Sequence, residues 1–221
     1  MALIKHKSVS VSHVHGDRAK KDERVIRSRK QIDAAFVELL HRRAYGNIRV
    51  SDIAKKAGVG RATFYAHYPS KDHLLRSQFD RFVAPMLAIR RNQDCPNDDW
   101  PNEDCPLDAT AFFTHIQMTP RFFRALIGGP DTGTGPRVLQ DCFEERVRQA
   151  LDAPDDSRSS RAEDPALATE QAIVTRVVAS SLLAVVEGWM ESNLSGSPQE
   201  VQAIFSKLVG GGLKTLRAAH P

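Results

Sequence analysis

The chain has 221 residues, 41% of them hydrophobic and 26% charged, with only three cysteines. That length and apolar share suffice for one large or two small globular domains, and so few cysteines exclude a secreted disulfide framework. The net charge of +4 conceals a division: residues 1–76 hold 17 Lys and Arg against 7 Asp and Glu, and residues 77–221 hold 14 against 20, which joins a phosphate-seeking part to one with no need of polyanions.

Residues 1–21, MALIKHKSVSVSHVHGDRAKK, mix Lys, Ser and His without a helical period. A flexible basic arm is expected, either following DNA backbone or a minor groove or remaining a solvated tail. No continuous apolar run marks a signal peptide, so a cytoplasmic protein is expected. His13 and His15 lack the Cys or carboxylate support of a metal site, and neither metal nor cofactor is expected. From Asp22 the pattern turns helical, with Ile32, Ala35, Phe36, Leu39 and Leu40 on one stripe and basic residues opposite, ending near Tyr45-Gly46.

The stretch Val50 to Lys71, VSDIAKKAGVGRATFYAHYPSK, is the most informative. Val50, Ile53, Ala54 and Ala57 fall at i, i+3, i+4 and i+7, one face of a helix. Gly58 then permits the left-handed conformation that closes a helix, and Gly58-Val59-Gly60 predicts a sharp turn into a second helix from Arg61 to Tyr68. On that helix Phe64 and Tyr68 face inward, while Arg61, Ala62, Tyr65 and Ala66 face outward beside a polar flank of Thr63 and His67. Outward alanines let backbone approach a major-groove floor next to an arginine able to bond guanine. Ser70 is the expected N-cap of the next helix. Lys71 opposes that helix's dipole, a conflict that a phosphate bound by Lys71 and the terminal N–H groups would resolve.

Ile53-Ala54, Ala57-Gly58-Val59, Thr63-Phe64-Tyr65, His67-Tyr68 and Ser70-Lys71 closely resemble the DNA-binding signature of the TetR family of bacterial regulators. The likeness covers about fifty residues, Ser28 to Leu75. It implies base contacts from Arg61 and Ala62 and phosphate contacts from Thr63, Tyr65, His67 and Lys71, with Ser51 also at the DNA. The family often has Thr where this chain has Arg49 and Ser or Asn where it has Gly60, so the usual caps of both helices are missing. Arg49 is assigned a phosphate contact instead.

Beyond Lys71 a helix from Asp72 to Ile89 is expected, carrying Leu74, Leu75, Phe79, Phe82 and Val83, with Pro85 kinking or ending it. In TetR-like proteins this helix transmits the state of the C-terminal domain. Asn92 to Pro106 reads as an acidic, proline-rich loop bracketed by Cys95 and Cys105, a plain surface loop or a thiol switch. Leu107 to Met118 and Pro120 to Ile127 read as two helices whose Phe112, His115, Met118, Phe122 and Phe123, with Trp189, are candidates to line a small-molecule pocket, core packing being the alternative. The glycine-rich Gly128 to Gly135 lacks the Lys-Ser/Thr ending of a phosphate loop and reads as a connector. Pro136 to Leu151 is a further helix, and Asp152 to Pro165 a polar link.

Two long helices, Ala166 to Asn193 and Pro198 to about Ala218, complete the chain. The run Ala172 to Met190 is nearly long enough to span a bilayer, but Arg176 and Glu187 lie within it, so burial by protein is expected and no membrane partner. These helices suit self-association, with Ala179, Leu183, Val186, Met190, Val201, Phe205 and Leu208 as interface candidates; in the resembling family the last two helices of each subunit form a four-helix dimer interface. Phe122-Phe123 with Leu126, and Gly188-Trp189 before a proline-led last helix, also resemble one C-terminal subtype of that family.

The expected architecture is all-α with about nine helices: a basic arm over residues 1–21, a three-helix helix-turn-helix domain over 22–75, and a helical regulatory and dimerisation domain over 76–221. The expected function is ligand-responsive repression by a homodimer on a two-fold double-stranded DNA operator, its half-sites about 34–36 Å apart. Enzymatic acyl or phosphoryl transfer is disfavoured, because His41, His73 and His115 stand in no recognisable catalytic constellation. A nonspecific architectural DNA binder would leave the large C-terminal part without a purpose.

Overall fold

A computed structural model describes residues 12–89, 107–128, 134–151 and 165–219. Among them are nine α-helices: α1 Ser12–Leu40, α2 Val50–Ala57, α3 Arg61–His67, α4 Lys71–Gln78, α5 Thr110–Met118, α6 Pro120–Ile127, α7 Thr134–Leu151, α8 Pro165–Glu191 and α9 Pro198–Ala219. The all-α expectation is met. The acidic loop with Cys95 and Cys105, most of the polar link before α8 and most of the glycine-rich connector lie outside the described residues.

α1 starts at Ser12 rather than Asp22 and stops at Leu40, with a separate 3-10 turn at Tyr45–Asn47. Its early turns carry no apolar period in the sequence; Lys, Arg and Glu favour helix there by ordinary propensity. The later stripe behaves as expected: Ile32, Ala35, Phe36, Leu39 and Leu40 are buried, joined by Tyr45, Ile48, Ile53, Ala57, Phe64 and Tyr68 in one continuous core.

The expected helix from Asp72 to Ile89 is broken. α4 ends at Gln78, a π-helical turn spans Phe79–Val83, a 3-10 turn follows at Ala84–Met86, and the chain becomes extended at Ala88–Ile89. Pro85 supplies no N–H for a carbonyl one turn earlier, so regular hydrogen bonding cannot run through it. Phe79 and Val83 remain buried, but Phe82 is turned outward, 49% exposed.

Leu107 does not open a helix. Leu107–Asp108 pairs antiparallel with Ala88–Ile89, and the cause is Gln202 on α9. Its side-chain amide accepts from Ala109 N at 2.9 Å and donates to Leu107 O at 3.1 Å, holding these backbone groups away from helical partners. Asp108 Oδ1 accepts from Thr110 N at 2.9 Å, and α5 begins there.

α8 buries Thr175, Val178, Ala179, Leu182, Val186, Trp189 and Met190, a 3.6-period stripe against its neighbours α7 and α9. It is the one helix among the described residues long and apolar enough to cross a membrane by composition. The turn after it places Asn193 and Leu194 at φ 56° and 59° and is tied by a bond from Trp189 Nε1 to Ser195 O, 2.9 Å. α9 then opens on a reciprocal cap, in which Glu200 accepts from Ser197 N at 2.7 Å and Ser197 Oγ accepts from Glu200 N at 3.2 Å.

The connector Gly128 to Gly135 ends in a tight contact. Gly135 lies in the first turn of α7, and a Cβ there would sit 2.0 Å from Leu126 O, so only glycine lets α7 come this close to the end of α6.

Candidate nucleic-acid interface

α2 lacks a hydroxyl cap but is not left open. Asp52 Oδ2 accepts from Arg49 N at 3.0 Å, closing the N-terminus from within the helix and placing a negative charge at its positive end. The Arg49 guanidinium, which cannot accept a hydrogen bond, stays exposed. Gly58 takes φ 67° and ψ 29° as the C-cap, and Val59 N donates back to Ala54 O at 3.0 Å, giving the expected turn.

α3 begins after Gly60, which is extended and makes no side-chain cap; a Cβ at Gly60 would meet nothing closer than Thr63 Oγ1 at 4.0 Å. The helix divides as its spacing predicts. Phe64 is fully buried and Tyr68, one residue past the helix end, is 4% exposed, whereas Arg61, Ala62, Tyr65 and Ala66 face solvent. Ser51 is exposed on the first turn of α2. Arg61, Ala62, Tyr65 and Ala66 thus form a compact surface with one guanidinium and little side-chain bulk, the shape required to approach a base-pair floor.

Two of the expected phosphate contacts have partners inside the protein. Lys71 Nζ donates to Tyr45 O at 2.8 Å and Ile48 O at 2.9 Å and lies 4.0 Å from the centroid of the Tyr45 ring. The conflict between its charge and the α4 dipole is therefore met by carbonyls of the preceding turn, with no need of a bound anion. Ser70 Oγ accepts from His73 N at 3.1 Å, the expected N-cap. His67 Nε2 stands 2.8 Å from Ser28 Oγ, so its ring is fixed against α1, and Thr63 is half-buried beside it.

A buried carboxylate that sequence reasoning passed over holds this head to the rest of the chain. Asp33, 6% exposed, accepts from Tyr68 Oη at 2.7 Å and from Arg81 at 2.8 Å, and Arg29 Nε donates to the same Tyr68 oxygen at 3.1 Å. Burial and then the bond to Asp33 push the Tyr68 phenol above its ordinary pKa. Its sequence signal was a lone acid inside an apolar stripe, between Ile32 and Ala35. A second junction runs from Tyr45 Oη to Asp72, and Arg76 of α4 pairs with Asp141 of α7. α4 thus touches both the reading head and the C-terminal helices, where coupling was expected.

The pocket candidates do not share one environment. Phe112, Phe123 and Trp189 are core side chains, with Phe112–Phe123 ring centroids 5.5 Å apart and Trp189 against Phe113 at 5.8 Å, both edge to face. Phe122 is half-buried and faces His41. His115 is half-buried against Phe123, and burial lowers its pKa. Met118, at 78% exposure, points to solvent. Cys142, the free cysteine among the described residues, is buried, its thiol pushed up to about 12 by that burial.

The interface candidates also need correction. Ala179, Val186, Met190, Val201 and Phe205 are buried within the chain's own fold, because α8 and α9 use those residues to pack on each other and on α5 and α7. Leu183 is half-buried and Leu208 is 66% exposed. Leu208 is thus uncovered as an interface candidate should be, and Ile173 and Val177 of α8 and Ile204 of α9 are exposed as well, with small Ala184 and Gly188 exposed along α8.

Comparison with known proteins places the reading head. The family model for bacterial regulatory proteins of the tetR family matches residues 32–77. The HTH-type transcriptional regulator YxbF of Bacillus subtilis (strain 168) is 36% identical over 89 residues, 38% of this chain. The HTH-type transcriptional regulator EthR of Mycobacterium tuberculosis (strain ATCC 25618 / H37Rv) is 47% identical over 50 residues, 23% of this chain. The chain spans 23% of the length of each of these relatives. Over a longer range only the fold is shared: the crystal structure of a TetR transcriptional regulator from Streptococcus agalactiae 2603V is 19% identical, with a TM-score of 0.51 over 87% of this chain and 99% of that one. Residues 32–77 thus carry a helix-turn-helix of the tetR family of bacterial regulatory proteins, in a chain that shares its fold with a TetR regulator.

Proposed function

We propose that the chain is a ligand-responsive, cytoplasmic repressor that binds a two-fold DNA operator as a homodimer. The observation that carries the DNA reading is the divided surface of α3: Phe64 is wholly buried while Arg61, Ala62, Tyr65 and Ala66 stand free on one side. Arg61 reads a guanine edge, Ala62 and Ala66 admit close approach, and Tyr65 with Arg49 and Ser51 grips backbone. His67 and Lys71 act from behind by fixing α3 and the start of α4, and Thr63 flanks the surface.

The exposed apolar residues of α8 and α9 support the dimer, since Ile173 and Val177 lie one turn apart on α8 and Ile204 and Leu208 one turn apart on α9, and apolar strips of this kind call for a partner. Two copies joined there present two α3 helices to one side of a duplex. Effector binding in the C-terminal helices favours a dimer with its heads wrongly spaced, and α4 carries that preference through Arg76 and Asp141.

The test is selection of bound fragments from genomic DNA by the full chain, followed by titrations on the selected site. A two-fold sequence is expected, and Arg61→Ala should remove about 1–3 kcal/mol of discrimination at one base pair of each half-site. Equal affinity for selected and scrambled DNA would refute the reading.

A further inference from the structure

Between α1 and the turn Phe79–Val83 runs an open groove of about 490 Å³, lined by Lys30, Ala34 and Val37 on one side and Gln78, Arg81 and Phe82 on the other. Small-molecule sites occupy roughly 300–1,000 Å³. The groove lies outside the C-terminal helices to which the effector is assigned above, and its walls are mostly carbon. Phe82 is 49% exposed there, although its neighbours Phe79 and Val83 are buried.

Two polar features make this more than an uncovered apolar strip. Gln78 is 4% exposed, yet its Nε2 has no hydrogen-bond partner; a buried amide left in that state is costly, so a ligand acceptor placed there gains more than it would at the surface. The second feature is the sign of what is left uncommitted. Asp33 is taken by Tyr68 and Arg81, and Glu38 by Lys56 at 2.6 Å and Arg42 at 3.2 Å. Lys30 is exposed and forms no hydrogen bond or ion pair among the described residues. The acids of the groove are thus committed to other partners, while the Lys30 ammonium and the buried Gln78 amide N–H remain unpaired beside apolar surface. His41, at one end, can donate or accept.

We infer that this groove binds a small amphiphilic carboxylate, its oxygens accepting from Lys30 and Gln78 and its apolar body lying along Ala34, Val37 and Phe82. An acceptor-only head group suits a groove whose unpaired groups, the Lys30 ammonium and the Gln78 amide N–H, are donors. A helix from a partner protein would cover Phe82 but, with its own backbone carbonyls already bonded, would leave Gln78 unpaired. The site adjoins the Asp33–Arg81 bridge, so an occupant braces α1 against the turn below it. Binding there does not depend on the DNA reading proposed above.

The experiment is isothermal titration of the full chain with decanoate and with decylamine, both below their micellar concentrations. One decanoate per chain is expected, with decylamine at least about ten-fold weaker. Lys30→Gln, a surface change, should weaken decanoate about ten-fold, the loss of one charge-assisted hydrogen bond. Ala34→Trp, on the exposed side of α1, should abolish binding by filling the groove while far-UV circular dichroism stays unchanged. Absent decanoate binding, equal affinity for the two amphiphiles, or decanoate binding unaltered in Lys30→Gln would each overturn the proposal.

Discussion

Removing the Lys71 side chain takes away two hydrogen bonds to the carbonyls of Tyr45 and Ile48 and a cation over the Tyr45 ring. Charge-assisted bonds of this kind contribute about 1.5–3 kcal/mol, so Lys71→Ala should lower the urea-unfolding free energy by about 2 kcal/mol. The dependence of DNA affinity on salt should be unchanged in the folded variant, because no phosphate contact is lost; a shallower salt slope with unchanged stability would restore Lys71 to the DNA backbone. Charge and position were legible in this residue, but its partner was not. The spacing of Ser70 and Lys71 places a cation at a helix start, and only the path of the 3-10 turn at Tyr45–Asn47 decides whether protein or ligand answers it. Arg49 is a similar case: the sequence shows the missing hydroxyl, and Asp52, three residues on, supplies the cap.

At the scale of elements, the helices with a strong apolar period were readable, α2 and α6 to their ends, whereas α1 and α5 begin elsewhere than expected. α2 and α3 appear where the spacing of Ile53, Ala57 and Phe64 requires, since each short helix buries one face against α1. The segment after α4 departs from expectation because Pro85 acts upstream of itself, widening the preceding turn before the chain straightens. α5 starts late because an amide from α9 competes for its first backbone groups, a contact no local pattern announces. Gly135 combines both lessons: its glycine-rich surroundings suggest a connector, yet its own hydrogen lies where a Cβ would collide with Leu126 O. Gly135→Ala should therefore cost about 3 kcal/mol, the scale of an overpacked contact, read as a lowered thermal midpoint by calorimetry. A midpoint within a degree of the parent would show that α6 and α7 can move apart freely.

For the whole molecule, the basic share of the sequence contains the tetR-type helix-turn-helix at residues 32–77, and Phe64 is buried and Arg61, Ala62, Tyr65 and Ala66 exposed on α3 as their spacing predicts. Of the residues expected at an association surface, Leu208 is exposed and Ala179, Val186, Met190, Val201 and Phe205 are buried in the chain's own core. An apolar stripe does not state which of its members an intramolecular neighbour will claim, and α8 gives Ala179, Val186 and Met190 to its own core while leaving Ile173 and Val177 uncovered. The two sets predict different mutants: Ile204→Glu with Val177→Glu should shift the chain from dimer to monomer in analytical ultracentrifugation with helicity retained, and a persisting dimer would move the interface elsewhere. The clamp made by Gln202 has a consequence in time. Its bonds to Leu107 and Ala109 span 95 and 93 residues of chain, so they close only after nearly half the sequence has been drawn together, and an entropic cost of that kind is met late on a folding path. Gln202→Ala should accordingly accelerate unfolding in stopped-flow experiments and leave the refolding rate nearly untouched. The start of α5 would then be the last joint of the molecule to set and the first to come apart.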